Sequence, residues 1–200
     1  CFALEGSPLF YIHFFWLSCS FLFGMVGANI YDRARRAEFA TQLAYRELAL
    51  TDPLTKCFNR NELDRRLAIE IPRAEREQQS FSVLMLDLDK FKLVNDSHGH
   101  DAGDRVLETT ASIIRQSIRK SDTLIRWGGE EFLLLTLNQT ADQAMGMAEK
   151  LRLLIQTHQY DNQLNLTVSI GVTIYYPGDQ QTDLINRADQ GLYLAKSEGR

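Results

Sequence analysis

The residues best suited to chemistry are carboxylates and cations gathered near two short stretches of chain. The run FSVLMLDLD, from Phe81 to Asp89, is apolar and then ends in Asp87 and Asp89. In an extended strand, side chains alternate between faces, so the two carboxylates share one face and Leu88 takes the other. Carboxylates at a strand end are suited to holding Mg²⁺ or Mn²⁺ together with bound phosphates. The second stretch is Gly128-Gly129-Glu130-Glu131-Phe132. Two glycines let backbone approach a ligand closely. Glu130 adds a carboxylate to the Asp87 region if the two segments are neighbours, and a divalent cation gives like charges a reason to meet. Lys92, Lys196 and Arg200 are cations suited to a triphosphate, and the last two are spaced to share a helix face. Each feature alone has a plainer reading, as a solvated turn or a simple hairpin.

The elements that must position these groups can be read from periodicity. Leu63, Leu67 and Ile71 mark a helix that meets Pro72. Phe81 to Leu88 reads as a buried strand. Val106, Leu107, Ile113, Ile114 and Ile118 follow helical spacing. Thr123–Trp127 and Phe132–Leu137 flank the glycine pair as a hairpin. Ala141, Ala144, Ala148, Leu151 and Ile155 mark another helix. Leu166–Tyr175 is strand-like through its β-branched residues, and Leu184 to Ala195 is a last helix. The expected fold is α+β, with helices packed on a mainly antiparallel central sheet. The segment Ser97-His98-Gly99-His100-Asp101 reads as a turn, whose histidines could be metal ligands or structural.

Before this domain lies a different kind of sequence. Between Glu5 and Asp32 there is no Asp, Glu, Lys or Arg. Such a run is long enough for the roughly 20 residues that cross a hydrocarbon core. Arg33, Arg35 and Arg36 follow it, which places the C-terminal side in the cytoplasm by the positive-inside rule. The alternative is a buried core helix of a soluble protein. Residues 1–32 are thus expected to be a single-pass transmembrane segment in the inner (cytoplasmic) membrane. Residues 33–50 are read as a linker helix, in which Phe39, Leu43 and Leu50 approach a heptad stripe. The net charge of −4 gives no sign of nucleic-acid binding. Three cysteines without CxxC spacing argue against a zinc site or disulfide scaffold.

Taken together, the motifs resemble the GGDEF family of diguanylate cyclases over about three-quarters of the chain. The carriers are Asp52-Pro53-Leu54-Thr55 with Asn59-Arg60, the run Asp87 to Asp104, GGEEF preceded by Arg126-Trp127, Ser169-Ile170-Gly171-Val172, and the closing series Ala188-Asp189, Leu192-Tyr193, Ala195-Lys196 and Gly199-Arg200. Residues 51–200 would form this domain, with its C-terminal end truncated before a short final strand. The resemblance implies that Asp87, Glu130 and the Leu88 carbonyl bind Mg²⁺ or Mn²⁺. Asn95 and Asp104 would read guanine, Leu54 would line the base pocket and Gly129 would allow close approach. Lys92, Lys196 and Arg200 would hold phosphates, and Asp89 would be structural. Glu131 or Glu130, or a metal-bound water, would take the 3′-hydroxyl proton. The implied reaction condenses two GTP into cyclic di-GMP and two pyrophosphates across a homodimer. Arg119 and Asp122 form an RxxD pattern at the family's product-inhibition offset. One departure is Lys56-Cys57, where the family usually has Gly-Leu. The competing reading is a catalytically silent module that binds GTP or cyclic di-GMP. A cyclase making a monomeric cyclic product is a weaker third.

Overall fold

The computed structural model describes residues 8–48, 50–161 and 164–199. The chain divides into two units, Cys1–Leu48 and Ala49–Arg200. In the first, a single helix, α1 (Pro8–Leu48), carries both the apolar run and the basic residues after it. Within its stretch Tyr11–Arg36, an 18-residue window has a mean hydropathy of 1.4, and the stretch is long and apolar enough to cross a membrane. The side chains of Leu43 and its neighbours lie outside the described residues.

The second unit is a five-stranded sheet covered on both faces. Its strands are β1 (Phe58–Asn59), β2 (Phe81–Leu88), β3 (Thr123–Arg126), β4 (Glu131–Leu137) and β5 (Val168–Ile174), in the order β1-β3-β4-β2-β5. All pairings are antiparallel except β1 with β3. The helices are α2 (Arg60–Glu77), α3 (Phe91–His98), α4 (His100–Ser117), α5 (Ala141–Thr157) and α6 (Gln181–Glu198). Every residue of β2 is buried, Ser82 and Asp87 included, which explains its mostly apolar sequence. Its alternation feeds two cores. Leu84, Leu86 and Leu88 pack with residues of α3, α4 and α5. Val83 and Met85 pack with Leu63 and Leu67 of α2 and with Leu184, Ala188 and Leu192 of α6. Each such leucine stabilises the fold by about 1.5–3 kcal/mol through burial.

The expected sheet and its flanking helices are present, with three differences. The helix expected to meet Pro72 runs through it to Glu77. Pro72 faces solvent, where the carbonyl freed on the exposed Ala68 can be hydrated, and Ala74 beyond it is buried in the second core. The segment read as a turn at His98 is the junction of two helices, α3 and α4, capped by Gly99 at φ 81°. The short strand β1 has no counterpart in the sequence reading.

One close approach sets the position of α6. A Cβ on Gly171 of β5 would overlap the Ala188 carbonyl oxygen and the Leu192 nitrogen, both backbone atoms of α6. Only glycine lets this helix lie so near the sheet.

Candidate active site

The end of β2, the β3–β4 turn and the last turn of α6 converge. Antiparallel register sets Asp87 opposite Glu131. The Leu88 N–H donates to the Glu130 carbonyl at 3.4 Å, so the two backbones run side by side. Across the sheet face, α6 delivers Lys196, whose Nζ lies 2.8 Å from Asp87 Oδ2. Asp87 is buried at 7% exposure, so its charge meets little water.

This crowding shows in the two glutamates. Burial first, and then the neighbouring Asp87, push the carboxyls of Glu130 and Glu131 above the ordinary glutamate range, while Lys196 partly offsets both. The Glu131 carboxylate folds back over Gly128, where a Cβ would lie 2.8 Å from Glu131 Oε2. Gly129 is exposed at the tip, with open space where a side chain would be.

Among the described residues, no three His, Cys, Asp or Glu side chains stand close enough to form a metal cluster by themselves. The donor set Asp87, Glu130 and the Leu88 carbonyl nonetheless suits a hard divalent cation. It consists of oxygen donors, Asp87 helps to raise the Glu130 carboxyl, and a cationic ammonium already lies against it. Asp89 stands apart from this set. It lies just past β2 and accepts from Thr167 Oγ1 at 2.7 Å and Ser169 Oγ at 2.8 Å. Those bonds tie the start of β5 and the residue before it to the end of β2.

The turn itself is held by an ion pair whose partners the sequence showed without their relationship. Arg126 Nη1 donates to both oxygens of Asp52 at 3.0 Å, and its Nη2 donates to the Gly129 carbonyl at 2.9 Å. Thr55 donates to Asp52 through its N–H at 2.7 Å and its hydroxyl at 2.6 Å. Burial opposes ionisation of Asp52, yet the Thr55 bonds and Arg126 outweigh it and hold the carboxyl below its usual range. Arg60 lies over the Trp127 ring at 4.2 Å, bracing the turn from outside. The half-buried Leu54, in the same loop as Asp52, packs against the first core.

The base-reading candidates occupy the α3–α4 junction. Asn95 is on α3 and half-buried, while Asp104 is exposed in the first turns of α4. Lys92 is exposed at the start of α3. Arg200 lies outside the described residues.

Arg119 and Asp122 sit elsewhere, beside a cavity of about 250 Å³ that Lys56, Cys57, Arg115 and Lys120 also line. Asp122 is buried, and its carboxylate accepts from the Arg119 N–H at 2.9 Å. The Arg119 side chain is exposed at the rim. His98 and His100 are both exposed at the junction of their helices.

Comparison with known proteins places the chain by family and fold. The family model described as "Diguanylate cyclase, GGDEF domain" matches residues 49–200. The bifunctional diguanylate cyclase/cyclic di-GMP phosphodiesterase MucR of Pseudomonas aeruginosa is 43% identical over 84% of this chain and 26% of its own length. The response regulator PleD of Caulobacter vibrioides is 37% identical over 77% of this chain and 35% of its own. The chain thus spans only about a quarter to a third of these relatives. Among solved structures, the diguanylate cyclase SiaD of Pseudomonas aeruginosa, in complex with its activator SiaC, superposes with a TM-score of 0.73 at 37% identity, covering 96% of this chain and 74% of that one. The coiled coil and GGDEF domain of DgcB from Caulobacter crescentus, in complex with c-di-GMP, gives 0.75 at 28% identity, covering 90% and 96%.

Proposed function

The chain belongs to the GGDEF family, and from that premise we propose that it is a diguanylate cyclase, condensing two GTP into cyclic di-GMP. The carrying observation is the meeting of Asp87, Glu130, Glu131 and Lys196 at one end of the sheet. Asp87, Glu130 and the Leu88 carbonyl would hold Mg²⁺ or Mn²⁺. The cation, when bound, supplies charge neutralisation for the triphosphate.

The protein's own residues account for the remaining work. Asn95 and Asp104 hold guanine, whose N1–H and N2–H₂ donors suit a carboxylate acceptor; adenine lacks that pair and leaves Asp104 unmatched. Leu54 lines the base pocket and Gly129 lets backbone lie against the nucleotide. Lys92, Lys196 and Arg200 hold phosphates. The 3′-oxygen of one GTP attacks the α-phosphorus of the other, and the bond to pyrophosphate breaks. The 3′-proton passes to Glu131 or Glu130, whose raised carboxyls are the stronger bases for it. A second transfer in the opposite sense closes the ring.

Each domain offers one nucleotide site, so two copies must face each other, and much of the acceleration is proximity. Pairing of α1 with its twin is the natural means, and the DgcB structure named for its coiled coil supports it. The apolar half of α1 would anchor the protein in the inner membrane with the domain in the cytoplasm. Arg119, at the rim of its cavity, would grip a phosphate of the product, with Asp122 fixing the loop and meeting the guanine edge, so that cyclic di-GMP inhibits its own synthesis.

Stoichiometry and concentration dependence test the two-site reading. It predicts two pyrophosphates per cyclic di-GMP and a rate per mole of protein that rises with protein concentration. A constant rate per mole from a species that sediments as a monomer would contradict it.

A further inference from the structure

Gly103 lies in the first turns of α4, immediately before Asp104, and is buried. Its backbone is helical, without the positive φ that calls for glycine, and glycine is a poorer helix former than alanine. Something else must require a residue without a side chain. A Cβ built here would overlap Asn95 Oδ1 and lie 3.0 Å from Asn95 Cγ and 3.1 Å from Phe91 Cζ. The nearest atoms are therefore the amide end of one movable side chain and one ring edge, not backbone. Alanine would cost the fold little, because Asn95 can rotate away. It would move the Asn95 amide from its place against the backbone just before Asp104.

We infer that Gly103 is a positioning residue for base recognition: its missing side chain leaves the space in which the Asn95 amide is held against the backbone just before Asp104. The inference rests on the reading that these two side chains hold guanine. It separates two jobs within one short segment. Asp104 supplies the charged acceptor, and Gly103 sets the angle of its partner.

The test is equilibrium binding of 3′-deoxy-GTP and 3′-deoxy-ATP, which cannot cyclise, with thermal unfolding measured on the same samples. The variants are Gly103→Ala, Asn95→Ala and the double variant. Gly103→Ala should weaken 3′-deoxy-GTP about tenfold, the value of one well-placed hydrogen bond. The weak 3′-deoxy-ATP affinity and the melting temperature should hold or rise. In the Asn95→Ala background the same change should have almost no further effect. Unchanged guanine affinity in Gly103→Ala, or a full additional loss in the double variant, would overturn the inference. Unchanged affinity in Asn95→Ala alone would overturn the guanine reading beneath it, and the inference with it. If Gly103→Ala does not fold, a folded double variant supports the contact with Asn95, and an unfolded one rejects it.

Discussion

Lys196 Nζ stands 2.8 Å from Asp87 Oδ2, joining the last turn of α6 to the end of β2. The bond puts an ammonium among three carboxylates. Lys196 thus lowers the electrostatic cost of Asp87, Glu130 and Glu131 sharing one corner, and in the proposed function it would also face the phosphates.

Replacing Lys196 by Met should reduce turnover about 100-fold, the scale seen when one preorganised charge contact is lost. It should also move the acid limb of the pH–rate profile upward. Glu130 and Glu131 already hold their protons to higher pH than a free glutamate, and Lys196 pulls both back. Activity falls as pH drops through those raised values, so losing the lysine raises the pH at which it falls. An unmoved limb would mean that the glutamates do not titrate in this range.

Stability should follow the same charges. Because folding raises these carboxyls, their contribution is most favourable below the ordinary glutamate range. It is lost as pH rises through the folded values, leaving a net cost at neutral pH. Mg²⁺ should therefore raise the melting temperature at neutral pH, by the equivalent of about 2.7 kcal/mol at a hundredfold excess over its dissociation constant. The gain should shrink on acidification and in Glu130→Gln.

Gly171→Ala should behave unlike Gly103→Ala. Here the added methyl meets the α6 backbone at Ala188 and Leu192, which cannot rotate away. We expect a loss of about 1–3 kcal/mol in urea unfolding, from overpacking. Activity should fall further than stability alone explains, since the displaced helix carries Lys196.

Lys56 has φ 57°, the left-handed region, in the loop that Asp52 and Thr55 close. Lys56→Gly should raise stability by up to about 1 kcal/mol by relieving that conformation. A destabilised variant would show that the lysine side chain has a role at the cavity beside Arg119.

The sheet and most helices were legible because β2 is mostly apolar and α4, α5 and α6 repeat their apolar residues at helical spacing. Helix α3 was not, because its eight residues bury only Phe91 and Val94, too few to show a period. Pro72 misled because its solvent exposure is a tertiary fact. At the site, the sequence named the charged residues but not their partners. That Arg126 grips Asp52 and the Gly129 carbonyl together depends on chain positions far apart. The contact between Asn95 and the space left by Gly103 is closer in sequence, but it requires α3 and α4 to fold against each other.

The most direct measurement is product analysis. The purified chain is incubated with GTP and Mg²⁺, beside Glu130→Ala, and the products are separated by chromatography. Cyclic di-GMP from the parent and none from the variant is the predicted result. GTP bound but no cyclic di-GMP formed, even when a fused leucine zipper pairs two domains, would contradict the account and leave a nucleotide-binding module.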